Sequence, residues 1–192
     1  MDSEFTNSLQ TQNTLVACTG SAIICGLMLF AFEWIFWIPG AVFGISFAVA
    51  NFHRKLQIGL YIALSSVIYI GAVQIFFKAS GTDLNHPWVG GFLAGAFGAL
   101  TLAVLTKLIS KTSLALFDEF RSTLIGGITG IVFIQLFIFG LGEPFSNDIG
   151  KALVLIPAAL VVWQVPVGWL LTTSIQPNSK RSDEFSTKNA PG

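Results

Sequence analysis

Charge is what this chain has least of. Only 10% of its 192 residues are Asp, Glu, Lys or Arg, against 53% hydrophobic. Soluble domains carry roughly 25% charged residues, and the mean hydropathy here is +0.73. Net charge is zero, so nothing is available to neutralise phosphates and a nucleic-acid partner is excluded from the reading. Cysteine is nearly absent too. Cys18 and Cys25 stand seven residues apart in one apolar run, on one helix face but too far apart for a disulfide. They read as small buried residues.

Other absences narrow the chemistry. There is no Asn-x-Ser/Thr sequon, no His-Glu-x-x-His, no Cys-x-x-Cys, no Gly-x-Ser-Gly and no glycine-rich phosphate loop. His53 and His86 fall at opposite membrane faces, so neither can serve as base to a serine at matching depth. No apolar run holds two aspartates. An enzyme is not expected, and no cofactor or metal is called for. Asp83, His86, Glu143 and Asp148 all map to one face, but their spacing matches no metal motif. Leu15-Val16-Ala17-Cys18 has the shape of a lipoprotein cleavage box without the basic start and apolar stretch that one needs.

What the chain does have is long apolar runs. A hydrocarbon core about 30 Å thick needs about 20 mainly apolar residues per helix. Six stretches answer to that, at about 14–32, 34–52, 57–77, 88–107, 123–141 and 152–172. The expected fold is all-α: a polytopic membrane bundle of about six helices arranged as three hairpins. A polar tail (1–13) precedes the single transmembrane domain (14–174), and a disordered tail (175–192), holding Pro177, Asn178 and Pro191, follows it. The bilayer is the first partner implied.

The basic residues set an orientation. Arg54, Lys55, Lys107, Lys111, Arg121, Lys180, Arg181 and Lys188 share one side of a six-span chain, and only Lys78 and Lys151 lie opposite. The positive-inside rule places the larger group, with both termini, in the cytoplasm. Absence of sequons and presequence, with the compact size, points to a bacterial plasma membrane. The second stretch is the weak link. If its helix starts at Pro39-Gly40, only about 15 residues precede Arg54, short of a full crossing. Five spans with an external N-terminus give the same charge split.

Small residues recur at spacing four: Gly40/Gly44, Gly91/Gly95 and Gly126/Gly130, with Gly98 continuing the fourth run. In lipid, where helices gain nothing from the hydrophobic effect, such residues let backbones approach. Packing within the chain is the expected use, and a homo-oligomer or another membrane protein the other. Trp37-x-x-Gly40-x-x-x-Gly44-x-x-x-Ala48 also matches Trp88-x-x-Gly91-x-x-x-Gly95-x-x-x-Ala99, a pattern that any tightly packed membrane helix can use.

A few polar positions interrupt the apolar runs. Pro157 and Pro166 flank Trp163 and Gln164 in the sixth run, and each internal proline removes a backbone hydrogen bond. Broken membrane helices are tolerated where protein or a water-filled cavity re-satisfies the backbone, and transporters build sites from them. Gln74 and Gln135 interrupt the third and fifth runs. Glu33 sits between Phe32 and Trp34 and reads as an interfacial carboxylate facing water or, if buried, as a proton carrier. A substrate pathway through Gln164, Pro157, Pro166, Gln74, Gln135 and Glu33 is therefore one reading: a small transporter or permease for a small solute. The other is a non-catalytic membrane scaffold, or a subunit of a larger complex, with these same residues as structural glue. The balance tips to transport because a doubly kinked helix costs stability that a scaffold does not require. Convergence of the polar positions on one cavity would separate the two.

Overall fold

The computed structural model describes residues 3–31, 38–81, 85–113, 116–141 and 149–175. Among these residues there are six helices and no strand: α1 (Ser3–Ala31), α2 (Ile38–Asn51), α3 (Lys55–Ser80), α4 (Pro87–Ser110), α5 (Leu116–Leu141) and α6 (Ile149–Ile175). Four are long and apolar enough to cross a membrane: α3, α4, the Phe117–Phe139 part of α5 and the Leu153–Ile175 part of α6. The chain is an all-helical protein compatible with multi-pass membrane integration.

Local sequence explains the boundaries. Proline at the first helical positions leaves unused an N–H that would have had no partner, and both α2 and α4 begin this way, at Pro39 and Pro87. α4 ends where Lys111 takes the left-handed conformation at φ 57°, its N–H closing on the Lys107 carbonyl. With 14 residues, α2 rises only about 21 Å, short of a full hydrocarbon core. α1 is helical from Ser3, so most of the polar stretch 1–13 belongs to it. Residues 176–192 lie outside the described residues.

Each helix packs against the next, and α6 returns to α1, closing a ring; α6 also touches α4 and α2. Neighbours run antiparallel, as bonds between opposite helix ends show. Tyr61 Oη, early in α3, pairs with Thr106 Oγ1, late in α4, at 3.1 Å. Gln57 Nε2 donates to the Ile109 carbonyl at 2.9 Å. This end of the bundle gathers Arg54, Lys55, Lys107, Lys111 and Arg121, whereas Lys78 sits in the last turn of α3 at the other.

The closest seam is between α4 and α5. Gly91 and Gly95 meet Gly130 and Gly126 backbone to backbone, so closely that a methyl group on Gly126 would come within 2.6 Å of the Gly95 carbonyl oxygen. Gly40 and Gly44 let α2 lie on Ser65, Tyr69 and Ile62 of α3. Interior polar groups are tied across helices. Asn51 donates to Thr14 Oγ1 (3.1 Å) and to the Phe47 carbonyl (2.9 Å) while accepting from Gln10 Nε2 (3.2 Å), so the start of α1 is pinned to the end of α2. In hydrocarbon no water would satisfy these groups.

Candidate functional site: a central apolar cavity

Five helices of the ring line a half-open cavity of about 140 Å³. α2 contributes Pro39, Gly40 and Phe43; α3 contributes Ser65, Ile68, Tyr69, Ala72 and Phe76; α4 contributes Gly91, Ala94, Gly95 and Gly98. Phe133, Ile134 and Phe137 of α5 and Leu160 and Trp163 of α6 complete the wall. It occupies the half of the bundle away from the basic end. Below Phe43 and Leu102 the interior is filled by aromatic side chains. Phe43 and Phe47 have ring centroids 6.1 Å apart, Phe47 and Tyr61 5.1 Å, Phe52 and Tyr61 5.4 Å. All four are buried. The cavity is thus half-deep, with a packed floor.

Glycine makes the space. Gly98 faces the Trp163 ring, and a methyl there would stand 3.1 Å from Cζ2. Larger residues at Gly91, Gly95 or Gly98 would fill the cavity or force the helices apart. The wall is almost wholly apolar. Ser65 Oγ lines it but is engaged with the Gly40 and Ile62 carbonyls, each at 3.0 Å. Tyr69 brings a phenol to the wall, whereas Trp163 Nε1 is buried away from solvent and cavity alike and has no hydrogen-bond partner among the described residues. Such a wall suits a molecule of its own polarity.

The residues singled out by sequence do not gather here. Gln164 is 1% exposed and accepts a hydrogen bond from Ser21 Oγ of α1 at 3.1 Å. One residue turns the helix by about 100°, and so Trp163 lines the cavity while Gln164 faces α1. α6 runs as one helix through Pro157 and Pro166. Pro157 is buried against Gly26 of α1, whose added methyl would lie 2.6 Å from the proline nitrogen; neither proline lines the cavity. Gln74 and Gln135 are exposed on the outside of the bundle. Glu33 lies outside the described residues, as do Asp83, Glu143 and Asp148.

Two features gave no signal in the sequence. Lys107, one of several end-of-helix cations there, is 1% exposed in its side chain and bonded to Glu119 at 2.9 Å and Asp118 at 3.3 Å. Trp163 was visible only as a residue between two prolines. Its orphaned N–H depends on what α2 and α4 bring to it. Comparisons with protein-family models, curated proteins and solved structures find no match.

Proposed function

We propose that the chain is a non-catalytic, multi-pass membrane subunit of six membrane helices that works by assembling, in the first instance with a second copy of itself. The observation that carries this is the contrast between its inner and outer polar groups. Inside, Gln164, Asn51, Tyr61 and Thr14 are all hydrogen-bonded within the chain. Outside, Gln74 and Gln135 each sit six residues before the end of an apolar helix, about 9 Å in from that end, and both are exposed. A lipid-facing amide has no water to bond. An amide carries both donor and acceptor, so the same residues on a second copy can satisfy it, and such interhelical bonds are worth about 1 kcal/mol each. The Gly91/Gly95 and Gly126/Gly130 faces are consumed within the chain, and Gln74 and Gln135 are polar contacts open to assembly. The test is association in bilayers, by single-molecule photobleaching across protein-to-lipid ratios. The double variant Gln74→Leu/Gln135→Leu should dissociate more readily by roughly ten- to thirtyfold. A wild-type chain that stays monomeric at every ratio contradicts the reading.

The cavity favours a second reading, a carrier for a small neutral solute in the cytoplasmic membrane, with the basic end inside. Against a polar cargo stands the apolar wall. Flux of neutral solutes across proteoliposomes, with and without the chain, distinguishes a carrier from a subunit.

A further inference from the structure

We propose that the outward face of α5, where it meets α6 at the basic end, binds the phosphate headgroup of an anionic phospholipid, held by the Arg121 guanidinium. The site is separate from the central cavity and rests on neither reading above.

Arg121 stands where a cation is out of place. Phe117, Arg121, Leu124 and Ile128 follow one another at spacings of four, three and four, so they share one helix face. All four are exposed. The guanidinium thus belongs to an apolar stripe that looks out of the bundle. It lies three residues inward of Asp118, about 4.5 Å along the axis, within the part of α5 apolar enough to cross a membrane. A charge at that depth must reach back to the interface or meet an opposite charge.

The described residues do not supply that opposite charge. Their ion pairs are those of Lys107 with Asp118 and Glu119, so the two acids nearest in sequence are engaged by α4. What the guanidinium does meet is the ring of Trp169, with Cζ 5.4 Å from the ring centroid. Trp169 is itself exposed, six residues before the end of α6. A ring face attracts the charge but is no conventional acceptor for the five N–H donors.

Chemistry and place together define the complement. The guanidinium fork matches the paired oxygens of a phosphate. Its surroundings are apolar, so the anion has to arrive attached to an apolar body. An anionic phospholipid has both parts. Its headgroup would meet Arg121 beside Trp169, an aromatic type favoured at that depth, and its acyl chains would run along Leu124 and Ile128. Such lipids give the cytoplasmic leaflet its negative surface, and the positive-inside rule puts the basic end in that leaflet. Gln135, the contact proposed for assembly, lies fourteen residues further along the same face, about 21 Å away. A second copy covering the whole stripe is therefore the competing occupant.

Trp169 itself reports the test. In the full chain, Trp34, Trp37, Trp88 and Trp163 are replaced by phenylalanine. The protein is placed in mixed bilayers in which either the phosphatidylglycerol or the phosphatidylcholine carries bromine on its acyl chains, which quenches a tryptophan only from close by. Trp169 should show about a fivefold preference for the anionic lipid, the ratio expected of one cation at a membrane surface. Arg121→Gln should abolish that preference. Arg54→Gln, an equal loss of charge at the same end but on α3, should leave it unchanged. Equal loss in both variants would mean diffuse attraction and overturn the site. Quenching by neither lipid would mean that protein covers the face, and would overturn it too. Excess inorganic phosphate should change nothing; displacement of the lipid would make the occupant a soluble phosphate and refute the lipid assignment. A second measurement keeps all the tryptophans, in case their replacement disturbs folding. With 13C-labelled arginine in the same bilayers, lipid phosphorus should dephase the Arg121 Cζ signal, identified by its loss in Arg121→Gln. An Arg121 signal untouched by phosphorus would refute the proposal.

Discussion

Lys107 is the most deeply buried charge among the described residues, with 1% of its side chain exposed, and it has two acidic partners of very different exposure. Asp118 is 49% exposed and Glu119 12%. Water screens the first, so the Asp118 pair contributes about 0–1 kcal/mol. The second is a buried pair, and removing one member strands the other. Lys107→Ala should therefore destabilise by roughly 3–5 kcal/mol, while Asp118→Ala should change stability by less than about 1 kcal/mol. Equilibrium unfolding in mixed micelles measures both, and equal effects would show that Glu119 is not the dominant partner. Overpacking is the matching test in the apolar seam. Gly95 lies against the Gly126 carbonyl and the Gly130 Cα, so Gly95→Leu must part α4 from α5, at a cost of at least about 1–3 kcal/mol. At Gly20, where nothing lies within 4 Å, Gly20→Leu should be neutral or slightly stabilising. At this scale the sequence marked which residues are unusual but not their partners. Gln164 was conspicuous as a polar residue among apolar ones. Its bond to Ser21 spans 143 positions and follows from the return of α6 to α1, which no local pattern encodes.

Among the elements, α2 and α6 separate what periodicity can show from what it cannot. The sequence favoured a span over 34–52, with a start at Pro39-Gly40 as the alternative; α2 runs only from Ile38 to Asn51, so the turn signal beside Pro39 was the better guide. The two prolines of α6 were equally visible, but their consequence was not. Pro157 fits the gap left by Gly26, and α6 continues through both. A proline in a membrane helix need not open a path if a glycine opposite accepts its ring. In a background with Cys18→Ala and Cys25→Ala, single cysteines along residues 155–168 should show no labelling by an impermeant thiol reagent at Leu160, Gln164 or Val167, all buried. Strong labelling at Gln164 would mean that water reaches mid-helix there and would restore the polar pathway. The bonding of α1 to α2 can be probed separately. Asn51→Leu removes three hydrogen bonds and leaves Thr14 Oγ1 and Gln10 Nε2 without that partner. It should cost about 1–3 kcal/mol, seen as faster amide exchange at the start of α1.

For the whole molecule, scarcity of charge was enough to read an all-helical chain with helices apolar enough to cross a membrane, because hydrocarbon tolerates few charges on apolar helices. The gathering of Arg54, Lys55, Lys107, Lys111 and Arg121 at one end followed from the spacing of the runs. Closure of the ring did not, nor did the cavity inside it. Its walls come from five helices and its volume from glycines that the sequence offered equally as packing surface: Gly91 and Gly95 serve the α5 seam and the cavity at once. The central claim is that this interior space is dry and takes up apolar matter. Crystals of the protein equilibrated under xenon test it most directly, since apolar cavities of this size bind xenon and exclude water. The account predicts one strong anomalous peak among Phe43, Tyr69, Phe133 and Trp163, absent from Ala72→Leu. Ordered waters filling the same space, with no xenon, would contradict it and identify the cavity as a route for polar solutes.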